Sequence, residues 1–256
     1  VLMQVAAIWE NQIGNKTEAA GVYLEILEID QTYMPAHESL EAIYRETEDW
    51  GPLIELFLRQ VEIFDEPSFK VTVSQKMAKV YEQNLDDLDG AFESLKYAFN
   101  IEYGNEDTSL ELERLATAAG KWGELLNEYN GIVRTIEDKH EQSELWVKIG
   151  RWYGEHLNRV DYGLKSLEEA LKLNPNSVHA LREMASFYRR SSNNVELAKT
   201  LARVVPLEVD SNIQVRTLLN LAEVQDTGLG VFLSLDRLIH DAEEQAVDEL
   251  RVRFGE

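Results

Sequence analysis

Shifted by 72 residues, this 256-residue sequence falls onto its own punctuation. Ala6, Ala78, Gly150 and Ala222 share one position, all small, and Ile8, Val80, Trp152 and Val224 share another. Trp9, Tyr81 and Tyr153 supply the aromatic that follows, then Ile13, Leu85 and Leu157, then Gly14, Asp86 and Asn158 at a turn. Ala19, Ala91 and Gly163 open a second set, continued by Tyr23, Leu95 and Leu167 and by Leu27, Phe99 and Leu171. The other half of each unit repeats as well: Leu40, Leu112 and Met184; Ile43, Leu115 and Phe187; Leu53, Leu125 and Leu197; Val61, Val133 and Val205. Ungapped copies over this many apolar positions point to a structural unit stacked on versions of itself, because one such unit cannot bury its apolar face alone.

Each 72-residue unit divides again. Trp9 to Tyr44 is 35 residues and Tyr44 to Tyr81 is 37; Tyr81, Ala116 and Tyr153 are spaced the same way. Within one elementary repeat of about 36 residues, apolar side chains recur at helical spacing, as in Leu53, Leu56, Phe57 and Val61. Breaks with N-cap residues fall at Asp30 to Tyr33, Gly104 to Thr108 and Asn174 to Ser177. The expected fold is all-α: a right-handed solenoid of stacked helix-turn-helix repeats, about fourteen helices in all. Residues 1–225 hold six repeats and the first helix of a seventh. Residues 226–256, where the punctuation fades, are expected to be C-terminal capping or truncated-repeat helices.

Composition narrows the function classes. Five Pro and 14 Gly are too few for a many-stranded β fold, and 44% apolar residues argue against bulk disorder. The absence of Cys removes disulfide frameworks, thiolate chemistry and Cys-based zinc sites. With 25 Lys and Arg against 47 Asp and Glu, a net of −22, the chain lacks the basic surface that nucleic-acid binding needs. Val1 to Trp9 is the longest apolar stretch and falls well short of the ~20 residues of a membrane span. The first residue is Val and sits inside an apolar helical pattern, which suggests a fragment of a longer protein.

The stretch from Trp146 to Pro175, with Gly150, Tyr153, the run Glu169-Ala170-Leu171-Lys172-Leu173-Asn174 and then Pro175, resembles the tetratricopeptide repeat. Ile26-Leu27-Glu28-Ile29-Asp30 looks like the same repeat end, with Gln31 where the family prefers Pro. The resemblance covers about residues 1–225. It departs in two ways: odd-numbered repeats carry one extra residue before the helix–helix turn, and Leu53 stands where Ala is usual.

Motifs for catalysis do not rise above background. His37, His140, His156, His179 and His240 show no i, i+3 or i+4 pair, so no metal site is expected. Gly228-Leu229-Gly230 follows a helical pattern and lacks the third Gly of a dinucleotide fingerprint. Asp86, Asp87 and Asp89 lack the spaced ligands and distal Glu of an EF-hand. Trp50 and Trp122 recur at repeat spacing, which favours packing over an aromatic binding box. No cofactor and no enzymatic activity are expected.

The resemblance implies a protein-protein interaction scaffold that binds a partner segment along a groove lined by the first helix of each pair. Mapped onto this chain, the groove residues are Arg45, Lys76, Gln83, Arg114, Lys148, Trp152, His156, Arg182 and Arg189. Lys76 and Lys148 match the first Lys of the family's two-carboxylate clamp, but Val80 and Trp152 stand where it needs Asn, so that clamp is not reproduced. Charge is uneven: residues 1–72 carry a net of −10, residues 73–144 a net of −9, residues 145–216 a net of +3 and the tail −6. The carboxylates are expected largely on second helices and turns. The groove is then locally basic or mixed, and it draws an acidic protein or peptide segment. The alternative is a self-assembling homo-oligomer, joined through repeat ends or through acidic and basic segments.

Overall fold

A computed structural model describes residues 1–228, with side-chain surroundings through residue 224. The expected capping helices beyond Gly228, the Gly228-Leu229-Gly230 motif as a whole and His240 lie outside the described residues. Among the described residues there are thirteen α-helices and no strand, which meets the all-α expectation. They are α1 (Leu2–Ile8, continued by a π turn over Trp9–Ile13), α2 (Lys16–Ile29), α3 (Met34–Glu46), α4 (Trp50–Ile63), α5 (Pro67–Asn84), α6 (Leu88–Ile101) and α7 (Glu106–Ala118). They continue as α8 (Trp122–Ile132), α9 (Lys139–His156), α10 (Val160–Leu173), α11 (Val178–Arg190), α12 (Asn194–Val204) and α13 (Ser211–Gly228). Odd-numbered helices are the first of each pair and even-numbered helices the second. The described residues fall into two compact units that divide between Glu128 and Tyr129.

The starts of these helices are written in their side chains. Asn15, Asp87, Asn105, Asp138, Ser177 and Asn193 each accept a hydrogen bond from a backbone N–H two or three residues on, satisfying donors that a helix start leaves open. Pro67 stands at the first position of α5, where its missing N–H costs nothing.

The ends explain the extra residue of the odd repeats. Every first helix from α1 to α11 closes on a residue in the left-handed region: Gly14, Asp86 and Asn158 in one series, Glu48, Gly120 and Ser192 in the other. Both series recur at 72 residues. In the second, the N–H of Asp49, Lys121 and Asn193 donates to the carbonyl five residues back, on Tyr44, Ala116 and Tyr188, at 2.8–2.9 Å. In the first, Asn15, Asp87 and Arg159 reach six residues back, to Trp9, Tyr81 and Tyr153, at 2.8–2.9 Å. The inserted residue is thus absorbed by widening the last turn, and the next helix still starts with its cap in place.

Packing follows the small residues. Ala6 with Ala19, Ala78 with Ala91 and Gly150 with Gly163 are thirteen residues apart in each copy, and all are buried. A Cβ built on Gly163 would sit 2.9 Å from the Gly150 carbonyl oxygen, and one on Gly150 would sit 3.0 Å from that of Gly163. The two helices of that pair therefore meet backbone to backbone. In the first unit one apolar core runs through α1–α5, with Leu27, Leu40, Leu53 and Phe57 fully enclosed. Trp122 is buried, and its indole N–H donates to the Thr117 hydroxyl at 3.1 Å. It serves packing rather than a binding box.

Candidate functional site

The first helices of successive pairs are tied to one another by charged side chains one repeat apart. In the first unit, the Lys76 ammonium on α5 lies 3.0 and 3.2 Å from the two carboxylate oxygens of Glu41 on α3. Arg45, one turn on from Glu41, donates to the same carboxylate at 3.1 Å. Arg114 on α7 holds Glu82 on α5 in a two-bond fork at 2.6 and 2.7 Å and also donates to Glu111 at 2.9 Å. The hydrogen-bonded Arg114 guanidinium keeps the Glu82 carboxyl below the usual carboxylate range. Beside this fork, Gln75 donates to the Thr108 hydroxyl at 2.8 Å, again from α5 to α7. Between the two helices lies a cleft of about 360 Å³, lined among others by Gln75, Lys79, Thr108, Leu110 and Arg114.

The second unit repeats the theme with different partners. His179 on α11 meets Glu144 on α9 at 2.9 Å. Arg182 forks onto Glu208, just before α13, at 2.6 and 2.7 Å, and the Glu208 carboxylate is nearly enclosed. The Lys148 ammonium stands 4.5 Å over the Trp152 ring, while Arg151 reaches Glu155 only at 3.8 Å. A cleft of about 480 Å³ opens between α9 and α11, lined by Glu144, Lys148, Arg151, His179, Arg182 and Glu183. Burial pushes the Glu183 carboxyl up, against the pull of Arg151.

The structure brings Arg45, Lys76 and Arg114 to bridging positions on first helices of the first unit, and Lys148 and Arg182 to the cleft of the second. Gln83 near the end of α5, His156 at the end of α9 and Arg189 near the end of α11 are exposed but line neither cleft. Trp152 needs correcting. Its ring is 3% exposed, packed against Tyr129 at 4.9 Å between centroids and covered by the Lys148 ammonium, so it offers no open surface to a partner. It shares the position of Ile8 and Val80, and that position packs one pair on the next. Most carboxylates of the described residues do stand on second helices and turns, but Glu41, Glu82, Glu111, Glu144 and Glu183 stand on first helices beside the expected cations. The face is therefore mixed rather than basic. Those carboxylates, with Arg151 and His179, are what sequence reasoning missed. The signal was available as opposite charges 32 to 35 residues apart, about one repeat, in Glu41–Lys76, Glu82–Arg114 and Glu144–His179.

No family model matches the chain. A 79-residue stretch, 31% of the chain, is 33% identical to the general transcriptional corepressor trfA of Dictyostelium discoideum. The chain spans 6% of the length of that relative. Among solved structures, that of Naa15/Naa10 bound to HypK-THB matches 97% of this chain and 36% of its own, with 16% identity and a TM-score of 0.47. The MamA crystal structure matches 73% of this chain and 96% of its own, with 14% identity and a TM-score of 0.43. The TPR2AB domain of yeast Sti1, in its pHSP90 complex, matches 87% and 95%, with 12% identity and a TM-score of 0.33.

Proposed function

We propose that this chain, a tetratricopeptide-like stack of helix pairs, is a non-enzymatic scaffold that holds an extended acidic segment of a partner protein against its first helices. The observation that carries this reading is the α9–α11 cleft. Lys148, Arg151, Arg182 and His179 line it with Glu144 and Glu183, with Glu208 paired to Arg182 and Glu155 3.8 Å from Arg151. All of its lining but Glu144 lies in residues 145–216, which carry a net charge of +3. An acidic segment entering here meets attraction, while the acidic remainder repels it elsewhere, which favours one register over others. In the first unit, the first helices offer paired charges and the exposed Leu110 beside the α5–α7 cleft, suited to polar and apolar contacts rather than to net charge.

No reaction is assigned to this face. Several of its charged groups, Glu41 with Lys76, Glu82 with Arg114 and Glu144 with His179, are engaged in bridges between neighbouring first helices, which is what a stack needs for rigidity.

A direct test is calorimetric titration with a peptide of about fifteen residues rich in Asp and Glu, against a Lys-rich peptide of the same length. The acidic peptide is expected to bind and the basic one not to bind at this cleft. Lys148→Glu with Arg151→Glu should weaken the acidic peptide about ten-fold or more, as loss and reversal of two partly shielded contacts implies. Equal binding by the double variant, or preference for the basic peptide, refutes the reading.

A further inference from the structure

Where α2 faces the end of α3, the first 72-residue copy is built unlike the two that follow. Ala20, Gly21 and Leu24 of α2 stand where the second copy has Phe92, Glu93 and Lys96 and the third has Leu164, Lys165 and Glu168. In the second copy charge closes the place. Lys121 lies 3.1 Å from Asp89 and 3.9 Å from Glu93, Lys96 lies 2.6 Å from Glu93, and the Lys121 ammonium stands 5.2 Å from the centre of the Phe92 ring. The first copy has no counterpart to Glu93 and Lys96, and a cavity of about 250 Å³ lies between α2 and the end of α3. Tyr44 stands where the second copy has Ala116, so the aromatic ring comes from α3 instead of α2.

The floor of this cavity is apolar. Ala20, Ile43 and Tyr44 are 8%, 3% and 9% exposed, Leu24 forms a partly open wall, and a Cβ built on Gly21 would meet no atom within 4 Å. Two polar groups at the cavity are left over by the fold. The Tyr44 side chain is about nine-tenths buried, yet its hydroxyl has no hydrogen-bond partner among the described residues. Burial, and then the charges of Asp49 and Glu55, push its pKa up, so the hydroxyl keeps its proton and can donate. Asp49 precedes α4 but its carboxylate caps no backbone N–H, and it accepts from the Thr47 hydroxyl at 2.6 Å. Lys16, the cation at the rim, is already paired with Glu46. The charge without a counter-ion at this rim is therefore negative, within a copy that carries a net of −10.

We propose that the α2–α3 cavity is a binding site for a small aromatic amine, with the ring on Ala20, Leu24 and Ile43, the ammonium at Asp49 and the Tyr44 hydroxyl as a second polar partner. An apolar concavity with a few placed polar groups is the usual form of a small-molecule site, and this volume suits a single ring on a short chain. A carboxylate ligand would face Asp49 with no free cation to offset it, whereas an ammonium gains a charge-assisted bond there. The occupant touches α2 of one pair and α3 of the next, so it ties two successive pairs together. The site lies in the first unit, apart from the α9–α11 cleft, and its failure leaves the acidic-segment reading untouched.

The probe is phenethylamine, titrated into the full chain and followed by the amide resonances of Gly21, Leu24 and Thr47. Hydrocinnamate, with the ring and a carboxylate, and ethylamine, without the ring, are the controls. Saturable shifts with a dissociation constant on the order of 1 mM are expected for phenethylamine, and binding about ten-fold weaker or more for both controls. Gly21→Glu with Leu24→Lys, which restores the side chains of the second copy, should abolish saturation. Gly21 has room for a side chain and Leu24 is exposed, so this variant should keep its helical circular dichroism. Asp49→Asn should weaken phenethylamine about ten-fold and decides the matter if the double variant unfolds. The proposal is overturned by the absence of saturable shifts, by equal binding of hydrocinnamate, or by undiminished binding in either folded variant.

Discussion

Single residues decide how closely the pairs can stack. A Cβ on Gly154 would lie 2.0 Å from the Phe187 ring, far inside contact distance, and on Gly163 it would lie 2.9 Å from the same ring. Ordinarily Gly→Ala in a helix gains up to about 1 kcal/mol. Here the overlap dominates, and Gly154→Ala should cost about 1–3 kcal/mol, read from the urea midpoint at constant slope. Adding Phe187→Leu should recover part of that loss, whereas additive costs would show that the ring is not the obstacle. His37 is a second such residue. It is fully buried beside Phe64, one ring nitrogen bonds the Gln31 carbonyl at 2.9 Å, and the other, Nδ1, has no partner. Burial holds its pKa below the ordinary value, with the bond to Gln31 opposing and the Arg59 charge adding to the depression. The folded state therefore favours the neutral ring. Its contribution is intact above the unfolded value of about 6.5 and is lost as pH falls from there toward the folded pKa. The stability difference between pH 7.5 and 5.5 should thus be larger in the unmodified chain than in His37→Gln. Identical differences would remove His37 from the pH response.

At the scale of helices, the turns are where sequence and structure speak most directly to each other. Glu48, Asp86, Asn158 and Ser192 occupy left-handed backbone that Gly14 and Gly120 occupy freely in the same series. A side chain there costs of order 1 kcal/mol relative to Gly. Glu48→Gly should then raise stability by about 0.5–1 kcal/mol in thermal or urea melts, and a loss would mean that the Glu48 side chain contributes more than its backbone costs. These turns were legible from residue spacing because each obeys a local rule of chain geometry. So were the small-residue crossings, since Ala6, Ala78 and Gly150 recur where no larger side chain fits. The site was less legible. Lys76 and Arg114 follow from the groove positions that the resemblance implies, but a position on a helix says which way a side chain leaves it, not what it meets. Glu41 and Glu82 meet them from the previous first helix, about 35 residues away in sequence. Trp152 was misassigned for the same reason: its position lies where groove and inter-pair packing adjoin, and only the neighbouring Tyr129 ring decides between them.

For the molecule as a whole, charge is the dominant long-range quantity, and it acts on folding and on binding with opposite sign. The chain has 47 carboxylates and 25 Lys and Arg, so even complete pairing leaves 22 carboxylates without a cation. Folding gathers this excess, and self-repulsion opposes the compact state. Salt works against both repulsion and attraction. It weakens bridges such as Lys76–Glu41, but those are solvent-accessible pairs worth about 0–1 kcal/mol each. It also screens the much more numerous like-charge contacts over a Debye length that falls from about 30 Å at 0.01 M to about 8 Å at 0.15 M. The repulsive side wins, so the urea midpoint should rise between those two salt concentrations. Binding of an acidic segment at the Lys148–Arg151 cleft should respond the other way and weaken across the same range, because its attraction is what the salt screens. The two titrations share one buffer series and have opposite expected slopes. A midpoint that falls with salt would mean that the inter-helix bridges outweigh the surplus of carboxylates. Peptide affinity that rises with salt would place the contact on apolar surface instead, and would take the cleft's cations out of recognition.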